Sequence, residues 1–79
     1  MRIQLKLFTT LVSYLPPDAK DFTFAMDLPP ESRVRDAIAC AGIPRDLEVL
    51  VFVNGRRDDL DRLLQEGDIL ALLRPIAGG

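Results

Sequence analysis

The stretch Glu66 to Gly79, EGDILALLRPIAGG, sets the architecture of this chain. Gly67-Asp68 is a turn signal, Ile69 to Leu73 is a short strand-forming apolar run, and Pro75, with no N–H to donate, stops that run from adding ladder bonds. Beyond Pro75 come Ile76 and Ala77 and then Gly78-Gly79, which offer no Cβ for packing and lose the most entropy on ordering. This predicts a last strand followed by a flexible tail over 76–79, with the folded domain over 1–75.

Working back from that strand, VFVNG at Val51 to Gly55 ends in Asn-Gly, the strongest short turn signal. The run LEVLVFV before it shows little alternation, so it reads as a strand buried on both faces or covered on one by a partner. Between the two strands, RRDDLDRLLQEGD reads as a polar connection anchored by Leu60, Leu63 and Leu64. Further upstream, Val34, Ala37, Ile38 and Ala41 follow the spacing of a buried helical stripe. Ser32 is placed to cap that helix, and Gly42 and Pro44 are placed to end it.

The N-terminal third alternates. Ile3, Leu5 and Leu7 share one face of a first strand, and Phe22, Phe24, Met26 and Leu28 share one face of a second, antiparallel to it. TTLVSYLPP between them predicts one or two helical turns, started by Thr9 or Thr10 and burying Leu11, Val12 and Leu15 before Pro16-Pro17. The order is strand, short helix, strand, helix, strand, turn-rich connection, strand. A mixed sheet folded over one long helix, its first and last strands central, buries these stripes economically and makes the chain α+β.

Composition removes many functions. The 79 residues make one domain, and a chain of this length buries only about 60 to 65% of its unfolded surface. One cysteine and no histidine exclude an intrachain disulfide, most zinc sites and every Ser-His or Cys-His constellation. No Gly-Lys-Ser/Thr spacing cradles phosphate. Ten basic and twelve acidic residues, net −2, include no basic tract, so a nucleic-acid interaction has no footprint, and no apolar run is long enough to span a membrane. With Met1 leading straight into a strand, no signal peptide is read, and a reducing cytoplasm fits best. The implied partner is a protein.

Three groups of residues offer chemistry. Asp58, Asp59, Asp61, Glu66 and Asp68 form a carboxylate cluster, but Arg56, Arg57 and Arg62 are interleaved and the spacing is not that of a calcium loop, so a solvated turn is expected. Cys40 sits on the edge of the helical stripe with no activating neighbour, which reads as a small half-buried helix residue. The aromatic residues read as core, except that Phe52 lies in a strand able to present an apolar patch to a partner. There remains the tail, slim enough at Gly78-Gly79 to thread into a narrow channel and carrying a carboxylate as its reactive group.

Val51 to Gly55, Glu66 to Gly79 and KLFTTL near the start together resemble the MoaD/ThiS sulfur-carrier group of the ubiquitin-like β-grasp fold, which includes the small subunit of molybdopterin synthase. The resemblance implies a mixed sheet of four to five strands packed on one main helix. It further implies that an E1-like adenylyltransferase uses ATP to adenylate the Gly79 carboxylate. A sulfur donor such as a cysteine desulfurase or a rhodanese then leaves a thiocarboxylate for an acceptor enzyme, such as the large subunit of molybdopterin synthase or thiazole synthase. On this reading the chain is a co-substrate, not an enzyme, with no bound cofactor or metal. Gly79 reacts, and Arg74, Pro75, Ile76, Ala77, Gly78 and Phe52 meet partners. The Pro-x-Ala-Gly-Gly ending and the short helix at Thr9 to Leu15 resemble the molybdopterin branch, while Leu-Leu-Arg-Pro leaves thiamine or another thiolation pathway open. A ubiquitin-like protein modifier and a non-covalent binding module are the alternatives.

Overall fold

The computed structural model describes residues 1–75. Five strands, β1 (Arg2–Leu7), β2 (Thr23–Asp27), β3 (Leu50–Val53), β4 (Arg56–Asp58) and β5 (Ile69–Leu73), form one sheet in the order β2-β1-β5-β3-β4. β1 and β5 run parallel at its centre, and the other neighbours are antiparallel. The helix α1 (Val34–Cys40) covers one face, and a 3-10 helix (Thr9–Tyr14) follows β1.

The alternation in β1 translates directly into sidedness, and the wholly apolar β5 takes its sidedness from its place in the sheet. Ile3, Leu5, Leu7, Leu70 and Leu72 are fully buried, and Val34, Ala37 and Ile38 of α1 complete the core with Met26, Val51 and Val53. The helix ends as the sequence indicates. Gly42, with φ +82, lets its N–H reach the Ala39 carbonyl and the Ile43 N–H reach that of Ile38, the paired bonds of a glycine-terminated helix.

Its start differs from expectation. The N-cap is Arg33, and Ser32 is buried with its hydroxyl donating to the Pro29 carbonyl at 2.7 Å. Asp36 accepts from the Arg33 N–H at 2.7 Å, while the free N–H groups of Val34 and Arg35 are satisfied by the carbonyls of Arg62 and Leu60. The 60–64 connection is therefore the cap of α1.

Other readings also need correction. β3 does alternate: Val51 and Val53 are buried, while Leu50 and Phe52 are half-buried on the opposite face. The connection after Gly55 contains β4, whose three polar residues carry no apolar pattern to announce an edge strand. Of its expected anchors only Leu64 is buried, Leu60 and Leu63 being exposed. The 3-10 helix buries Leu11 but exposes Val12, and neither Thr9 nor Thr10 caps it, because Phe8 takes the N-cap position without a side-chain bond. Phe22 lies outside β2 and is 52% exposed.

Candidate functional site

The face of the sheet turned away from α1 is built by the residues that alternate with the core. Pairing places Phe52 opposite Ala71 and Leu50 opposite Leu73, with Ala71 also paired to Lys6 and Ile69 to Gln4. These apolar side chains, half-buried or, for Ile69, exposed, form a strip along β3 and β5. The expected outward presentation of Phe52 is thus met.

Cations border the strip. Arg57, paired with Phe52 across the β3–β4 hairpin, holds its guanidinium 5.7 Å from the ring centroid, a cation–π contact. Lys6 stands on the β1 side. Farther along β1, Arg2 hydrogen-bonds Asp27, which holds that carboxyl below its usual range and raises the guanidinium. Both groups of that pair are exposed, so it adds little to stability.

β5 leads from this strip into Arg74 and Pro75. The Phe8 N–H donates to the Leu72 carbonyl at 3.0 Å, continuing the parallel ladder past the end of β1. Two residues on, the Thr9 hydroxyl oxygen accepts from the Arg74 N–H at 3.1 Å while donating to the Phe8 carbonyl at 2.6 Å. A side chain thus supplies the next rung and fixes the root of the tail. Thr9 does this with φ +54, where a β-branched residue is strained. The Arg74 Nε is buried and finds no acceptor among the described residues. Ile76, Ala77, Gly78 and Gly79, four of the expected site residues, lie outside the described residues.

The carboxylate cluster separates into individual roles. Asp58 accepts from the Asp59 N–H and from Arg62, and these bonds hold its carboxyl below the usual range. Asp61 pairs with Arg35, and Glu66 accepts from the Arg2 N–H at 3.0 Å. Asp68 departs from the solvated reading. It is buried and accepts from Asn54 Nδ2 at 3.0 Å and from the Gln65 N–H at 2.8 Å, joining the two turns. Among the described residues no three His, Cys, Asp or Glu side chains converge on a metal position. Cys40 is exposed, not half-buried.

Sequence reasoning missed Thr9. Its only signal is a threonine directly after a strand, which most often marks a cap, and the role it plays depends on a partner 65 residues away.

A five-stranded mixed sheet with its first and last strands parallel at the centre and one helix across a single face defines the ubiquitin-like β-grasp class. The chain belongs to the Mut7-C ubiquitin family, whose model matches residues 1–77. Among solved structures it is similar to SAMP1 from Haloferax volcanii, with 26% identity, a TM-score of 0.74 and 100% of each chain covered. A protein assigned as molybdopterin converting factor subunit 1 from Pyrococcus furiosus has the same fold at 23% identity and a TM-score of 0.69, covering 95% of this chain and 98% of that one. So does the complex of subunits 1 and 2 of that factor from Helicobacter pylori, at 20% identity and a TM-score of 0.61, with 100% of each chain covered. No curated protein sequence matches. The likeness to the MoaD/ThiS group read from the sequence agrees with this family and these neighbours. No helix among the described residues is long and apolar enough to cross a membrane.

Proposed function

We propose that this protein is a sulfur carrier in which the Gly79 carboxylate is the reacting group. The observation that carries the reading is β5. It is the central strand, held by β1 and β3, and it leads from an apolar, cation-bordered face to Arg74 and Pro75, after which the sequence reads Ile-Ala-Gly-Gly.

A carboxylate is a poor electrophile, so activation precedes transfer. In an E1-like enzyme a carboxylate oxygen of Gly79 attacks the α-phosphorus of ATP, forming an acyl adenylate and releasing pyrophosphate. A sulfur donor, such as a cysteine desulfurase or a rhodanese, then supplies a persulfide whose terminal sulfur displaces AMP, and a thiol cleaves the resulting acyl disulfide to leave the thiocarboxylate and a disulfide on the donor. This chain contributes docking. Phe52, Leu50, Ala71 and Leu73 offer the apolar contact, Arg57, Lys6 and Arg74 favour an acidic rim on the partner, and Pro75 to Gly78 guide the terminus into the active site. It is a co-substrate, and the groups that catalyse belong to its partners. No cofactor resides on the carrier itself; ATP is consumed by the adenylating enzyme.

Molybdopterin synthesis is the pathway of choice. The fold is shared with molybdopterin converting factor subunit 1, and in the Helicobacter pylori structure that subunit is in complex with subunit 2. The acceptor proposed here is accordingly a synthase large subunit. A second reading has its own support, since the Haloferax volcanii neighbour is a small archaeal modifier protein. On that second reading of this chain, a lysine amine, instead of sulfur, attacks the activated Gly79.

Intact mass after incubation with ATP, a sulfur donor and the E1-like enzyme of the same cell tests the proposal. The expected gain equals the exchange of one oxygen for sulfur and disappears when Gly79 is removed. Adducts on lysines of other proteins without that gain would establish the modifier.

A further inference from the structure

Two tight turns in this molecule share a backbone form but not a sequence. Asn54 and Gly55, with φ +52 and +85, join β3 to β4 and use the residues such a turn prefers. The second turn is closed by reciprocal bonds between Lys20 and Thr23, at 3.0 and 2.9 Å, and its central residues are Asp21 and Phe22, with φ +52 and +62. A positive φ is a true outlier for a bulky side chain, and the second central position ordinarily takes glycine.

Burial does not account for the phenylalanine. Half its surface, 52%, is exposed. Its ring touches that of Phe8, with centroids 5.9 Å apart and planes tilted by 44°, and Val12, also exposed, belongs to the 3-10 helix that begins beside Phe8. A strained backbone therefore holds an aromatic ring out in solvent.

Its position supplies a reason. The Leu7 N–H donates to the Phe22 carbonyl, the Phe8 N–H to the Leu72 carbonyl, and the Arg74 N–H to Thr9. These bonds gather Phe22, Phe8 and the root of the tail at one end of the sheet. Four residues, 76–79, follow Pro75, and fully extended they span about 14 Å. Any enzyme acting on Gly79 must therefore come close to this end.

We propose that Phe22 is an aromatic anchor, seated in an apolar pocket on the E1-like enzyme that activates Gly79, with Phe8 bracing the ring from behind. The inference rests on the carrier reading above. Hot spots of protein interfaces are commonly exposed aromatics that become fully desolvated on binding, and a ring held rigid by its backbone loses little entropy on docking.

The test is ATP–pyrophosphate exchange by the E1-like enzyme of the same cell, with this protein as the varied substrate, alongside urea unfolding. Phe22→Gly restores the preferred turn and is expected to raise the unfolding midpoint while raising KM about tenfold or more, with kcat little changed. Phe22→Asn, which tolerates positive φ but has no ring, is expected to show the same KM, and Phe22→Tyr a KM near the original. Opposite signs for stability and recognition separate an anchor from a structural residue. A KM for both ring-less variants within about twofold of the unsubstituted protein overturns the inference and leaves the carrier reading standing. Absence of exchange with the unsubstituted protein removes both.

Discussion

The Asn54-Gly55 and Asp21-Phe22 turns solve the same geometric problem, yet their side chains face different demands. At Asn54 the amide is part of the fold. Its Oδ1 accepts from the Ile69 N–H at 2.9 Å, its Nδ2 donates to buried Asp68 at 3.0 Å, and its own N–H donates to the Ile69 carbonyl at 2.8 Å. Turn chemistry, strand pairing and polar satisfaction all agree there. At Phe22 they do not, and the ring faces solvent at the end of the sheet from which the tail departs. Local agreement marks the part of the molecule that only has to fold, and local conflict marks a part with something else to do.

Replacing Asn54 by alanine probes the cooperative turn most severely. It leaves the Ile69 N–H and the buried Asp68 carboxylate each short of a partner, for an expected loss of about 2 to 3 kcal/mol in a urea titration. A loss below about 0.5 kcal/mol would show that the amide bonds do not distinguish the two turns. Next in size is Gly55→Phe, which copies the Asp-Phe solution into the other hairpin. A Cβ on Gly55 meets nothing within 4 Å, so its cost is that of the backbone at φ +85, roughly 1 to 2 kcal/mol. The unfolding midpoint should fall with an unchanged slope. A neutral result would mean that positive φ carries no strain in either turn, and the conflict at Phe22 would vanish.

The smallest effect is that of acid on the β3–β4 hairpin. Asp58, in β4, has its carboxyl lowered by the Asp59 N–H and then by Arg62. In the native state it binds protons less readily than in the unfolded chain. Its contribution is therefore complete above the unfolded value, about 3.9, and is lost as pH falls through the lower native one. Amide exchange in β4 should accelerate relative to β1 over that range, and Asp58→Asn should abolish the difference. Equal acceleration in both strands would place the acid sensitivity elsewhere.

Much of the fold was legible because its signals are local. Alternation in β1 needs only six residues, the apolar run of β5 five and the α1 stripe eight, and Gly42 and Gly55 stand where their positive φ is required. The outward face of Phe52 was likewise readable, while the expected reacting end, from Ile76 to Gly79, lies outside the described residues. β4 was hidden, because an edge strand of Arg-Arg-Asp buries nothing and owes its existence to the turn before it and to β3 beside it. Phe22 was misread for the opposite reason. It continues the alternation of β2, but the turn rotates it out of the sheet.

The sequence by itself determined a mixed sheet on one helix, with a central last strand, since those elements are written in side-chain periodicity and in glycine and proline positions. The tertiary structure alone decided that Asp68 is buried against Asn54, that the 60–64 connection caps α1, and that Thr9 holds Arg74. Those roles belong to hydrogen bonds between groups 14 to 65 residues apart, and a polar side chain gives no local sign of which distant partner will satisfy it.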